Sequence, residues 1–296
     1  MERATTIPRL LLLMTVLSSA ACLAQDSSPS QLAAPSGLVQ GGTGAMSNSV
    51  CQAITAGDQQ RAPLAKLCQF ALNYQQELPD FLAEMTVTEH HLRSTTVITG
   101  QVGLNQGHEI YSPMTVNGKP VGADNASNLL PLSMRFTSSG EFGALLVDLF
   151  HPSKAEFQFR KQATLNGTRA MVYDFHVSAV SNTFWRLTDA YGHTLHPELR
   201  GELWIDAGTG RLMREVFEPV HLPASFEIIS ATTTIDYGLT AVGDAGTFVL
   251  PSKSESIICV RQQFSLLREC VTNVKTFHDY RKFAATTRIL ANAPQP

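Results

Sequence analysis

The densest cluster of chemically capable side chains in this chain is His193-Thr-Leu-His196-Pro-Glu198. Two imidazoles three residues apart with a nearby carboxylate are zinc-type donors. The helical H-E-x-x-H frame that would hold them on one face is missing, and Gly192 and Pro197 mark a loop, so they read as solvated loop histidines. His90-His91 and His108-Glu109 fall in strand-like runs, where adjacent side chains point to opposite faces and do not converge. Ser139-Gly140-Glu141 lacks the G-x-S-x-G elbow of a serine hydrolase and reads as a capping turn. Glu202, Asp206, Glu215 and Asp236 could offer a carboxylate pair for glycoside hydrolysis. Asp206 sits where a turn needs a side-chain acceptor, and the other carboxylates read as the wet face of a sheet. Gly41 to Gly44 lies in a polar leader without the strand and helix a phosphate loop requires. No catalytic residue, metal ligand or cofactor is assigned from these patterns.

Redox chemistry is the better-supported use of reactive side chains. Arg3 and Arg9, the apolar run Leu10 to Leu17 and the small residues Ser18 to Ala24 have the layout of a secretory signal peptide over residues 1–24. The run is far short of the ~20 residues of a membrane helix. Ser19-Ala20-Ala21-Cys22 resembles a bacterial lipobox, with Ser19 where Leu is usual; lipidation of Cys22 would convert export into membrane anchoring. Cys51, Cys68, Cys259 and Cys270 remain after it. Four cysteines allow three pairings, of which sequence proximity favours Cys51–Cys68 and Cys259–Cys270. Export makes disulfides the default, and no C-x-x-C pair suggests zinc.

Removing residues 1–24 takes away Arg3, Arg9 and Glu2, leaving 272 residues with 20 basic and 24 acidic side chains. No basic patch for nucleic acid appears in that near-neutral balance. Residues 25–49 are rich in Ser, Gly, Ala, Pro and Gln and bury too little to offset ordering entropy, so they form a flexible leader. A single domain is expected over 50–290, with a tail at 291–296.

The elements that would position any site are mostly strands. Pro63 to Leu78 has 3–4 spacing of Leu64, Leu67, Cys68, Ala71 and Leu72, and Pro79 ends it as a helix. A short helix is expected within Ser49 to Ala56, and another over Glu141 to Phe150, capped by Ser138 or Ser139. Strands are expected at Leu82 to Leu92, Thr95 to Gly103 and His108 to Val116, followed by an irregular stretch from Gly122 to Arg135. Phe157 and Phe159 alternate with polar residues before an Asn166-Gly167 turn, and Tyr173, Phe175, Val177 and Ala179 alternate after it. A short strand at Phe184 to Leu187, a pair Thr232–Leu239 with Thr247–Leu250, and a pair Ile257–Leu266 with Val271–Phe283 follow. Gly201 to Val216 is a clear hairpin, with Leu203 and Ile205 on one face and Trp204 on the other. Apolar groups on both faces suggest a stretch covered on both sides or one lining a cavity.

This hairpin, G-x-L-W-I-D-x-x-T-G-R-L-x-R from Gly201, is similar to one in the bacterial outer-membrane lipoprotein-sorting (LolA/LolB-like) half-barrel family. Phe277-His-Asp-Tyr280-Arg-Lys-Phe283 looks like that family's late F-x-D-Y-x-x-F strand. The chain also resembles a group of exported acidobacterial proteins through Leu78-Pro79-Asp80-Phe81, Glu109 to Lys119 and Ser138 to Gly143. The resemblance implies an incomplete antiparallel barrel whose helices close its concave face over an apolar space.

The expected fold is α+β: a large curved antiparallel sheet, one main helix and one or two short helices on its concave face. The expected function is non-catalytic binding of a hydrophobic ligand, an acyl chain or a lipidated partner protein, in the periplasm or at the outer membrane. Phe157, Phe159, Tyr173, Phe175, Leu203 and Ile205 would line the ligand space. The alternatives are a structural or sensory interaction module of the envelope, and a hydrolase whose residues meet only in three dimensions.

Overall fold

The computed structural model describes residues 51–52, 59–105, 107–111, 114–120, 141–151, 154–189, 192–261 and 268–283. The signal segment, Cys22, the leader, the Gly122 to Arg135 stretch, the Ser138 cap, most of the Ser49 to Ala56 helix and the tail lie outside the described residues.

Helix α1 (Ala62–Glu77) follows a single 3-10 turn and carries Pro63 in its first turn, where a missing N–H costs nothing. Its stripe of Leu64, Leu67, Cys68, Ala71 and Tyr74 is buried, and Pro79 stops it as expected. The strands follow as β1 (Phe81–His91), β2 (Ser94–Asn105), β3 (His108–Tyr111), β4 (Thr115–Val116) and β5 (Lys119–Pro120). After helix α2 (Ala144–Leu149) come β6 (Ala155–Leu165), β7 (Thr168–Val177), β8 (Leu187–Thr188) and β9 (Thr194–Leu195). The last five are β10 (Glu198–Asp206), β11 (Leu212–Val220), β12 (Ile228–Ala241), β13 (Thr247–Arg261) and β14 (Arg268–Lys282).

One large sheet runs in the order β5-β4-β2-β1-β14-β13-β12-β11-β10-β7-β6, with β3 also on β2 and a separate β8–β9 pair. Every pairing is antiparallel. The last strand, β14, returns to pair with the first, while β5 and β6 end the sheet unpaired with each other. The fold is therefore a mixed α+β half-barrel, a long sheet not closed on itself. Both disulfides form as sequence proximity suggested. Cys51–Cys68 ties the segment before α1 to that helix, and Cys259–Cys270 joins directly opposed residues of β13 and β14.

Some expectations on element bounds need correcting. His108 to Val116 pairs with β2 over two described stretches, β3 and β4, whose registers differ by one residue. Ala179 lies beyond β7, because Ser178 accepts the Ser181 N–H and turns the chain. Thr247–Leu250 and Ile257–Leu266 belong to one strand, β13, through at least Arg261. Pro251 is tolerated there because the register shifts opposite it, between Asp236 and Tyr237. Of the Phe184–Leu187 strand, only Leu187 pairs, as part of β8.

Candidate functional site

The antiparallel register builds two rungs across the concave face. The first runs Phe157, Phe175, Gly201, Phe217, Thr233, Ser256, Asn273, Glu89. The second, two residues along each strand, runs Phe159, Tyr173, Leu203, Glu215, Ile235, Ser254, Lys275, Val87. Both are apolar over β6, β7 and β10. Both turn polar before they reach β14.

The apolar half contains five of the six residues singled out from sequence, and Ile205 lies two residues beyond Leu203 on β10. Tyr173, Phe175, Leu203 and Ile205 are fully buried, Phe157 and Phe159 partly so, and all six join one core cluster. In this structure they pack against Leu64, Leu67, Cys68 and Ala71 of α1 and against Leu145, Leu146, Leu149 and Phe150 around α2. Phe150 stacks on Phe157 at 5.0 Å and Phe159 meets Tyr173 edge-on at 5.8 Å. Gly201 makes this possible: a Cβ there would lie 2.5 Å from the Phe175 ring and 2.1 Å from the Val216 carbonyl oxygen. Polar ties between α1 and the sheet include Lys66 Nζ to the Gly208 carbonyl at 3.2 Å and Tyr74 to the Val249 carbonyl at 2.8 Å. The Tyr173 hydroxyl donates to the carbonyl of Gln60, just ahead of that helix. At the N-terminal end of α1 an open depression of about 270 Å³ is lined by Pro63, Lys66, Gln162, Arg169, Met171 and Ala207; Met171 also belongs to the apolar core.

The polar half was not anticipated. Glu89, Glu215, Ser254, Ser256, Asn273 and Lys275 are each less than 6% exposed. Lys275 is paired at 2.6 Å with Glu141, itself buried. The Tyr237 hydroxyl is shared between the Glu141 carbonyl (3.2 Å) and Glu215 Oε2 (3.3 Å). Thr233 and Ser256 bond each other at 3.0 Å. Among the described residues, four buried side-chain atoms have no hydrogen-bond partner: Glu89 Oε2, Glu215 Oε1, Ser254 Oγ and Asn273 Nδ2. Burial pushes the Glu215 carboxyl up to about 7, only partly offset by the Tyr237 hydroxyl, and burial also raises Glu89. The carboxylates read from sequence thus divide. Glu202 and Asp236 face outward with Arg160 and Arg214, and Asp206 accepts turn N–H groups from Gly208 (2.8 Å) and Thr209 (3.1 Å) as expected. Glu215 does not join the wet face; it points into the core. Alternation carried that signal, since Glu215 lies between Met213 and Phe217 on their face.

The corner Glu141-Phe142-Gly143 closes the polar half. Glu141 reaches Lys275, and Phe142 packs against Phe81 (5.3 Å) and Phe277 (5.5 Å). Gly143 has φ 94°, and a Cβ on it would sit 2.1 Å from the Tyr74 ring. α2 consequently starts at Ala144, three residues later than the sequence suggested. Phe277 and Tyr280 are three apart, yet both are buried on the inner face. A bulge at Asp279, with φ 53°, supplies the extra residue that turns Tyr280 inward.

Among the described residues Trp204 does not mark a second covering layer. Its indole lies on the outer face among the sheet's own neighbours, donating to Glu202 at 2.9 Å with the Lys161 ammonium 5.7 Å from the ring. His193 bonds Asp189 at 2.8 Å while His196 faces the Trp185 carbonyl at 3.1 Å, so the two imidazoles serve separate partners. Among the described residues no group of three donors is placed to hold a metal ion.

No family model and no curated protein matches this chain. Distant matches among solved structures recur on the lipoprotein-sorting superfamily. A LolA superfamily protein from Nitrosomonas europaea is 12% identical over 76% of this chain and 97% of its own, with a TM-score of 0.33. An outer membrane lipoprotein-sorting protein domain from Vibrio parahaemolyticus is 13% identical over 73% and 90%, at 0.36. A DUF1329 family protein from Desulfovibrio piger is 10% identical over 76% and 94%, at 0.39.

Proposed function

We propose that this is an exported envelope protein that binds a hydrophobic ligand, an acyl chain or a lipidated partner, on its concave face without catalysis. The observation that carries the reading is the apolar half of the two rungs, which helices cover rather than a closed barrel. Two disulfides support an oxidising compartment.

The depression beside Pro63 and Met171 is where an acyl chain would enter.

The test is purification of the full-length protein from a bacterial envelope without detergent, followed by native mass spectrometry and lipid extraction. The expected result is a co-purifying acyl species and displacement of a neutral naphthylamine probe by twelve-carbon amphiphiles. A lipid-free protein that binds neither probe nor amphiphile would refute the reading. The same masses would reveal whether Cys22 is acylated.

A further inference from the structure

The concave face is amphipathic in a direction no single strand reveals. Along both rungs the residues over β6, β7 and β10 are apolar or glycine, polar and apolar residues mix over β11 and β12, and buried polar residues occupy β13 and β14, with Glu89 of β1 ending the first rung and Val87 the second. From Tyr173 to Ser254 the second rung crosses four strand gaps, about 19 Å at 4.8 Å each. Four polar atoms along the polar half are buried without a partner. Leaving each unsatisfied costs about 1–3 kcal/mol, a large sum for a fold of ordinary stability to carry.

We infer that the polar half, with Glu89, Asn273 and Ser254 at its centre and Glu215 at its apolar border, receives the uncharged, hydroxyl-bearing headgroup of an amphiphile whose chain lies over Phe159, Tyr173 and Leu203. This rests on the hydrophobic-ligand reading above and adds the polarity of the ligand's head. The chemistry selects hydroxyls. Glu89 Oε2 accepts, Asn273 Nδ2 donates, and Ser254 Oγ does either, so a polyol that both donates and accepts satisfies all three. Glu89 and Asn273 are directly opposed on β1 and β14, about 5 Å apart at Cβ, within the span of one glycerol unit. A phosphate head would meet two carboxyls, while the nearby Lys275 is already engaged by Glu141. Burying an anion there repeats the penalty that holds the Glu215 proton on.

The experiment is competition against the bound naphthylamine probe at pH 8, using 1-lauroylglycerol and 1-lauroylglycerol 3-phosphate, which differ only in the phosphate. The glycerol ester is expected to compete at least about tenfold more strongly, equivalent to about 1.4 kcal/mol. In an Asn273→Leu/Ser254→Ala protein that preference should collapse towards one. The isosteric Glu215→Gln protein guards against a folding defect in the double variant, and should improve binding of the phosphate ester several-fold. Equal competition by the two esters, or a preference that survives the double variant and is untouched by Glu215→Gln, would overturn the inference while leaving hydrophobic binding intact. Failure of both esters and of the probe would instead sink the reading on which it rests.

Discussion

Replacing Glu215 with Gln should make the protein more stable in alkali, and the size of the effect follows from burial. The Glu215 carboxyl is 1% exposed, Oε1 has no partner, and Oε2 has only a shared Tyr237 hydroxyl at 3.3 Å. Its ionisation is displaced from the ordinary 4.5 to about 7. Because the folded value is the higher one, the associated stability is present below pH 4.5 and is lost as pH rises through 7. At 1.36 kcal/mol per decade the loss comes to about 3 kcal/mol. Gln keeps the shape and cannot ionise. The stability difference between Glu215→Gln and the unsubstituted protein should therefore change by about 3 kcal/mol between pH 4 and pH 8.5, in favour of the variant. In melting temperature this is roughly 6–12 °C for a domain of this size. Urea unfolding followed by tryptophan fluorescence, with disulfides intact, measures it directly. Comparing the two proteins cancels other titrating groups, including Glu89. Parallel stability curves across that pH range would mean Glu215 ionises freely in the folded state, and the buried polar half would then be wrongly drawn.

The other predictions concern the parts that hold this face together. Lys275→Met leaves Glu141 buried without its cation and should destabilise by about 3–5 kcal/mol in urea unfolding, whereas Glu141→Leu/Lys275→Met should recover most of it. Gly143→Ala places a Cβ against the Tyr74 ring at a left-handed φ, and should lower stability by more than ~2 kcal/mol, with faster proteolysis of the α2 segment. Removing the Cys51–Cys68 bridge, which spans 17 residues, should reduce stability by about 3 kcal/mol, read as a lower melting temperature. Asp279→Gly should be nearly neutral and Asp279→Val destabilising by about 1–2 kcal/mol in the same assay, because only the latter resists φ 53°.

Much of the architecture was legible because period and punctuation are local. Asn117-Gly118 and Asn166-Gly167 are hairpin turns with positive φ at both residues, and the Gly201 hairpin forms where its alternation placed it. The errors came where one strand answers to its neighbour. Pro251 reads as a break until the register shift opposite it is known. That Phe157, Phe159, Tyr173, Phe175, Leu203 and Ile205 share one apolar core was legible because large hydrophobic side chains at even spacing name their own face. The polar half has no local signature, because a lone charged residue in a strand usually faces water even where alternation sets Glu89 on the face of Val87 and Lys275 on that of Phe277.

By itself the sequence determined the composition of each strand face: which side chains share a side, where hairpins turn, and which cysteines lie close enough to pair. Those are properties of short windows, set by backbone geometry and the two-residue period. Only the tertiary structure decided which faces line up across the sheet. Register joins residues as far apart as Phe159 and Lys275 into one rung, and the return of β14 to β1 sets the polar strands at one end of that rung and the aromatic ones at the other. A gradient that runs perpendicular to the chain has no local signature, so the amphipathic concave face exists only once the strands are paired.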